Sequence, residues 1–573
     1  MTRKIIGTLV ILTFIVSFCS CNSGGSSNNT STSPDEATIA KGQTVFTQYC
    51  SGCHGFRQDG IGPRLNGITQ DTSRGWISNF IKEPQKVIES GDERAQRLLK
   101  KYRVIMPSFA HLSDADMVAL IAFLNTKKGG DKKVVADKNA IINPIPDTVP
   151  LSDLVVNLKE VAQFPPSSDS GRLPLTRITQ LGSQPGSSDP FILDLRGKLY
   201  KLQNNKPVVY MDMAALRAKF INVPGLATGF GSFAFHPGFA KNGLLYTTHT
   251  EAAGSAKADF SYPDSIETTV QWVVTEWKTD HPGAVPFSGK GRELFRINIV
   301  QGIHGIQQIA FNPFSKPRDK DYGLLYICIG DGGSVEEGYP FLAHSLEKPW
   351  GTVFRIDPTG RNSRNGKYGI PADNPFVNNP DPKALKEIYA YGFRNPHRIS
   401  WTLSRKMLAC NIGFSNIEAI DLIKPGNDYG WPIREGNFLL KPGGDLDYVY
   451  PLPANDSIYH ITYPVAEYDH DEGRAICGGF EYQGKEVPQL EGKYFFGDIP
   501  TGRLFYVNMA DIKQGTYAPI KEWRVAVNGV VKTLRQLCGT NRVDLHFGKD
   551  AKGELYILTK PDGKLYRLER LVH

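Results

Sequence analysis

The sequence predicts two unlike domains, a small all-α domain over residues 38–127 and an all-β domain over residues 166–573 built as a six-bladed β-propeller. Three observations predict it. Capped segments with apolar residues at helical spacing flank a Cys-x-x-Cys-His run near the N-terminus. Short alternating strand segments, separated by Gly, Pro, Asp and Asn, fill the C-terminal part. An imperfect repeat recurs among those strands. At 573 residues the chain is also too long for one small helical domain.

The helical domain is read from its caps and stripes. Val45, Phe46 and Tyr49 lie at helical spacing just before Cys50-Ser51-Gly52-Cys53-His54. Ser113 caps a second helix with Asp116 at its third position, and Met117, Leu120, Ile121 and Leu124 form its apolar face. Two thiols three positions apart add to the two vinyl groups of one porphyrin, and the imidazole that follows reaches the iron from below. This makes Cys50 and Cys53 the covalent attachment points of a haem c and His54 its proximal ligand. A zinc site would need two further ligands nearby, and residues 55–105 contain neither Cys nor His. With Ile105-Met106-Pro107-Ser108-Phe109 ahead of the last helix, the segment resembles a class I cytochrome c. The resemblance implies that Met106 is the distal iron ligand, with His111 the alternative.

Ahead of this domain, Arg3 and Lys4 precede an apolar run from Ile5 to Phe18, shorter than the roughly 20 residues that span a bilayer. Residues 1–21 are expected to be a secretory signal and residues 22–37, rich in Gly, Ser, Asn and Thr, a flexible tether. The Cys-rich junction resembles a bacterial lipoprotein, which implies export to the periplasm or cell envelope and a lipid anchor at Cys21; cleavage elsewhere and plain secretion is the alternative. A net charge of +8 without a stripe of interleaved basic and aromatic residues argues against nucleic acid. Cys328, Cys410, Cys477 and Cys538 allow two disulfides or none.

Residues 128–165, rich in Pro, Ser, Asp and Lys, are expected to be a linker. Beyond them, strand runs such as Leu324-Leu325-Tyr326-Ile327-Cys328-Ile329 and Glu554-Leu555-Tyr556-Ile557-Leu558 recur between turn residues. Ala234-Phe235-His236-Pro237 and Ala310-Phe311-Asn312-Pro313 each precede a Gly-Leu-Leu-Tyr strand, and Leu545-His546-Phe547-Gly548 precedes a comparable one. Repeated strand units over this length suit a propeller better than a sandwich.

Further motifs are more specific. Ile329-Gly330-Asp331-Gly332-Gly333, Tyr391-Gly392-Phe393-Arg394-Asn395-Pro396, Gly426-Asn427-Asp428-Tyr429-Gly430-Trp431-Pro432 and Cys477-Gly478-Gly479-Phe480-Glu481-Tyr482 occur in this order. Together they resemble the soluble glucose/sorbosone dehydrogenase family, quinoproteins on a six-bladed propeller. The resemblance implies oxidation of an aldose sugar or related alcohol with pyrroloquinoline quinone (PQQ) and Ca2+. It implies that His304 is the general base, that Asp331 orients it, and that Arg394 lies over the quinone. Arg503 is implied as a partner of a cofactor carboxylate, and Gly413 and Phe414, with Glu418 and Asp421, as the surroundings of calcium. The sequence departs from the family at Phe414, Ala419 and the stretch from Leu226 to Phe233. A haem fused to a quinoprotein places the electron acceptor in the same chain, from which electrons would pass to a respiratory acceptor. Two other readings stay open: a non-catalytic propeller that binds glycan or protein, and a propeller hydrolase such as a lactonase.

Overall fold

The computed structural model describes residues 35–572 except 52, 58, 130–136, 169, 170, 226 and 443. The expected signal segment, the tether up to Pro34 and the lipid-anchor residue Cys21 lie outside the described residues. Among the described residues no helix is long and apolar enough to cross a membrane.

The N-terminal domain is helical. Asp35 caps the helix Glu36–Tyr49 by accepting from Thr38 N at 2.7 Å, and Ser113 with Asp116 forms a complete capping box on Asp114–Thr126. These two helices cross closely because Gly42 carries no side chain: a Cβ there would stand 1.9 Å from the Ala119 carbonyl oxygen. Val45, Phe46, Leu120, Phe123 and Leu124 are buried around the crossing, with Ile77 from the helix Arg74–Lys82.

The C-terminal domain is all-β and propeller-like. Four sheets of four or five strands follow each other in the chain. They begin with the strands Ile178–Ser183, Phe220–Ile221, Gln308–Phe311 and Pro396–Trp401. Apart from the small hairpin Arg434–Glu435/Phe438–Leu439, the remaining strands form one nine-stranded sheet rather than separate four-stranded units. The cause is the strand Leu151–Gln163, which was expected to belong to the linker. It runs parallel to Lys521–Val527 on one side and antiparallel to Lys564–Leu571 on the other, so the start of the domain is stitched between strands near its end. Val155, Val156 and Leu158 are buried there, and the burial of that apolar run outweighs the polar composition around it.

Cys328, Cys410, Cys477 and Cys538 are all free thiols, the first three buried.

Candidate active site

The first strands of successive sheets converge on one end of the propeller, where their N-terminal residues wall a cavity. Its lining includes Arg177, Gln307, His397, Arg398 and His546 from or just ahead of these strands, and His304 and Arg394 from the loops between them. The cytochrome domain supplies the opposite wall, with Ser51, Cys53, His54 and the stretch Asp59–Ile61. The haem-attachment motif and the expected catalytic residues therefore face the same space.

His304 is built into this wall by its backbone. Its φ is +48°, in the left-handed region that a residue with a β-carbon seldom adopts, and such strain collects at functional sites. Gly330 makes room for it, since a Cβ at Gly330 would stand 2.4 Å from the His304 carbonyl oxygen. His304 Nδ1 donates to Asp331 Oδ1 at 2.9 Å, which leaves Nε2 as the acceptor nitrogen. Asp331 is completely buried, takes Gly333 N at 3.0 Å on the same oxygen, and takes Trp431 Nε1 at 3.0 Å on the other. Burial works against its charge, but the hydrogen bonds from His304 and Gly333 and the nearby Arg394 charge win, and the carboxyl is held below its ordinary value.

Arg394 is adjacent, its carbonyl accepting from Asp331 N at 2.8 Å. Its guanidinium pairs with Glu336, donates to the Gly413 carbonyl, and lies 5.3 Å from the Phe414 ring centroid. Its Nε is buried without a partner. The same holds for Gln301 Oε1, His397 Nδ1, His546 Nε2 and Arg542 Nη1, all on residues that line the cavity. Polar atoms left unpaired inside a protein are costly, so a cavity with this lining is suited to a ligand rich in oxygen and nitrogen. Lys560 adds charge: burial above all, then Arg177, Arg542 and Arg398, push its amine down to about 8, with Asp544 opposing. Buried cations and unpaired donors fit a flat quinone that carries carboxylates.

The residues expected around calcium are not gathered into a cage. The Gly413 carbonyl accepts from Arg394. The turn after it wraps around Glu435, whose Oε1 accepts from the backbone N–H of Phe414, Ser415, Asn416 and Ile417 at 2.7–3.1 Å. Glu418 lies 3.0 Å from His470 Nε2 and accepts from Ile476 N at 2.8 Å. Asp421, an odd number of residues along the same strand and so on its other face, accepts from Asn411 Nδ2 at 3.1 Å. Among the described residues no group of three or more His, Cys, Asp or Glu side chains is placed to hold a metal ion. This donor set does not fit an eight- or six-oxygen calcium shell.

Arg503 is not brought to the cavity. It lines a separate cleft, where its guanidinium meets Glu522 at 2.6 and 3.0 Å and also pairs with Glu472. Sequence reasoning missed His397, Arg398, His546 and Lys560. A signal for His546 was present, because it sits in the repeated run that also marks a first strand.

On the cytochrome side, His54 Nδ1 donates to the Pro63 carbonyl at 2.7 Å, which fixes the tautomer with Nε2 free for iron. Burial holds the imidazole neutral, the form that binds metal, against the Pro63 bond and Asp59. Gly62 lets this loop pack on the ring, since a Cβ there would stand 2.4 Å from His54 Cε1. Cys50 packs at the edge of the helical core. Met106 is half-buried in the loop before the last helix, which Phe109 N pins to the Ile81 carbonyl at 2.9 Å. His111 is exposed, its ring 5.4 Å from that of Tyr49. These residues fit a covalent haem c.

Comparison with known proteins agrees with both halves. The Cytochrome c family matches residues 39–128 and the Glucose / Sorbosone dehydrogenase family matches residues 214–567, more than half of the chain. Among curated relatives, the HIPL1 protein of Arabidopsis thaliana is 27% identical over 387 residues, covering 60% of this chain and 53% of its own length. The human Hedgehog-interacting protein is 25% identical over 401 residues, covering 68% and 50%. Quinoprotein glucose dehydrogenase B of Acinetobacter calcoaceticus is 23% identical over 343 residues, covering 53% and 62%. The chain thus spans between half and two thirds of the length of these relatives. Among solved structures, the apo-form of the soluble aldose sugar dehydrogenase of Escherichia coli superposes with a TM-score of 0.49 at 18% identity, covering 72% of this chain and 99% of that one. Ahead of its propeller-like domain this chain carries a cytochrome c domain, and with the match over residues 214–567 it belongs to the glucose/sorbosone dehydrogenase family.

Proposed function

We propose that this protein is an exported quinohaemoprotein dehydrogenase that oxidises an aldose sugar or a related alcohol with PQQ and passes the electrons to its own haem c. The observation that carries the proposal is one cavity walled by His304 and Arg394 on one side, with Asp331 buried behind His304, and by Cys53 and His54 on the other. The relative from Acinetobacter calcoaceticus, a quinoprotein glucose dehydrogenase by name, supports the same chemistry.

The division of labour follows from the groups present. His304 Nε2 accepts the proton of the substrate hydroxyl, and Asp331 stabilises the imidazolium that results. Arg394 and Lys560 place positive charge where carboxylates and a developing oxyanion need it. When bound, PQQ supplies a two-electron acceptor for the hydride and the haem takes electrons one at a time. Calcium belongs to this proposal only as far as the family resemblance carries it, and no step here depends on it.

The propeller reading takes the nine-stranded sheet as two four-stranded blades fused through Leu151–Gln163, which with the four separate sheets makes six. Export rests on the segment of residues 1–21, with Cys21 as the lipid-anchored residue and a respiratory carrier as the final acceptor.

The test is the visible spectrum of the haem-loaded protein on adding aldoses, with and without PQQ. Haem reduction that needs both sugar and PQQ and is lost in His304→Ala supports the dehydrogenase. No quinone binding and no reduction would leave a propeller that binds glycan or protein, a reading to which the Hedgehog-interacting relatives lend weight.

A further inference from the structure

The two domains meet through charge rather than through a shared apolar core. Arg103 of the cytochrome pairs with Asp471 of the propeller at 3.1 Å, both side chains about half exposed at 53% and 50%. Arg474 Nη2 donates to the Lys101 carbonyl at 2.7 Å, and Asn541 Nδ2 donates to Gln85 Oε1 at 2.8 Å. Among the described residues, the buried apolar cluster of the cytochrome contains residues 39–124 alone. Interfaces of this kind come apart more readily than hydrophobic ones.

Several pairs of opposite charge meet across the contact. The cytochrome rim is basic: Arg57 and Lys127 act electrostatically on Glu337, and Arg64 and Lys101 on Asp447, beside the Arg103–Asp471 pair. The propeller rim facing it presents the acids Glu337, Asp447 and Asp471, with Arg474 and Arg542 on the same side. Asp59, an acid on the cytochrome side, is bonded to Lys101 at 2.6 Å and opposes Asp447 across the contact more strongly than either Lys101 or Arg64 attracts it.

The contact also covers the cavity. The His304 side chain is 11% exposed and that of Arg394 8%, and Cys53, His54 and Asp59–Ile61 stand across from them. In this arrangement Cys53 and His54, which would hold the haem, line the cavity, so a bound haem would be placed to accept electrons from it, while a sugar approaching His304 meets the cytochrome first.

We propose that the rim of the propeller mouth, with Glu337, Asp447 and Asp471, is a releasable docking surface for the chain's own cytochrome. Docked, the cytochrome is placed to receive electrons and closes the cavity. Released, it opens the path to His304. The electron-transfer half of this inference rests on the dehydrogenase reading; the docking itself does not.

The experiment uses the full haem-loaded chain. Small-angle X-ray scattering is recorded from about 0.01 M to about 1 M salt, a range that shrinks the Debye length from roughly 30 Å to roughly 3 Å. The radius of gyration is expected to rise with salt. Arg103→Glu is expected to raise it at low salt, and adding Asp471→Arg to that variant to restore compactness. In a Gln85→Cys/Asn541→Cys variant bridged by a short bis-maleimide, haem reduction by sugar added afterwards is expected to slow about tenfold or more, with dithionite reduction unchanged. Dimensions that ignore salt and charge reversal overturn the docking surface, and a bridged chain that reduces its haem at the unbridged rate overturns the closure. If sugar reduces the haem in no variant while the dimensions still follow charge, the dehydrogenase reading fails and the docking surface stands.

Discussion

Asp331 grips His304 from below: Oδ1 accepts the Nδ1 proton at 2.9 Å while Trp431 Nε1 holds Oδ2 at 3.0 Å. The carboxylate is thus fixed by a residue one hundred positions away in sequence. With Gly333 N on the same oxygen, Asp331 cannot rotate without breaking several bonds in a fully buried site. This sets the His304 tautomer and directs its Nε2 lone pair outward.

Removing the base should cost more than removing its support. His304→Ala is expected to lower the rate of sugar-driven haem reduction by about 10²–10⁴-fold, the usual span for a general base. Asp331→Asn, which keeps the shape but not the charge, should lower it about 10–100-fold with KM little changed. Stopped-flow absorbance at the haem bands measures both. Equal losses in the two variants would mean that Asp331 does more than orient the ring.

Gly62 should govern the proximal haem ligand. An alanine Cβ there would stand 2.4 Å from Cε1 and 3.0 Å from Nδ1 of His54, so either the ring or the Pro63 carbonyl must yield. Gly62→Ala is expected to weaken axial ligation by about 10–100-fold and to raise the fraction of high-spin ferric haem. Visible and electron paramagnetic resonance spectra read this directly. An unchanged low-spin spectrum would show that the loop absorbs the methyl group elsewhere.

Lys560 should make stability depend on pH before any quinone is added. Its amine, pushed down to about 8 in the fold, titrates near 10.4 when unfolded, so between these values the unfolded chain binds the extra proton. Stability contributed by this group is present above the unfolded value and lost as pH falls through about 8. Lys560→Met should therefore stabilise the quinone-free protein near pH 7, by on the order of 1–3 kcal/mol, and lose that advantage by about pH 10. Thermal melts of the variant and the parent at both pH values test it. A difference that stays the same at both would assign the effect to packing instead of charge.

The elements governed by local chemistry were legible in the sequence. Ser113 and Asp116 announced their helix through capping, and the haem motif needed only five consecutive residues. The ordered family motifs also pointed to His304 and Arg394, which line one cavity wall, and to Asp331, buried behind His304. What escaped depends on contacts between distant segments. The strand Leu151–Gln163 alternates weakly and is flanked by polar and proline-rich stretches; it becomes a strand because both of its edges find partners more than 350 residues away. Arg503 has the fork to bind a carboxylate, but sequence does not say which one, and Glu472 and Glu522 claim it. Glu418 and Asp421 look like a pair in one dimension, and the pleat of their strand sends them to opposite faces.

Arg398 presents the last test, because it is a buried cation satisfied by carbonyls instead of acids. From the strand Pro396–Trp401 its Nη1 donates to the Gln307 and His397 carbonyls, the latter at 3.0 Å, and its Nη2 reaches the Thr179 carbonyl at 3.1 Å. Thr179 belongs to the strand Ile178–Ser183, so one side chain ties together two first strands that are far apart in the chain. Burial lowers the guanidinium to about 10, which still leaves it charged near neutrality. Arg398→Met removes the desolvation cost of the charge but strands the Thr179 and Gln307 carbonyls, at about 1–3 kcal/mol for each orphaned acceptor. The second effect should win, with a net loss on the order of 2–4 kcal/mol and a melting temperature several degrees lower. Arg398→Lys should recover little, since a single ammonium cannot span carbonyls on both strands. A methionine variant that melts with the parent would show that water takes over these carbonyls and that the two strands stay joined without the arginine.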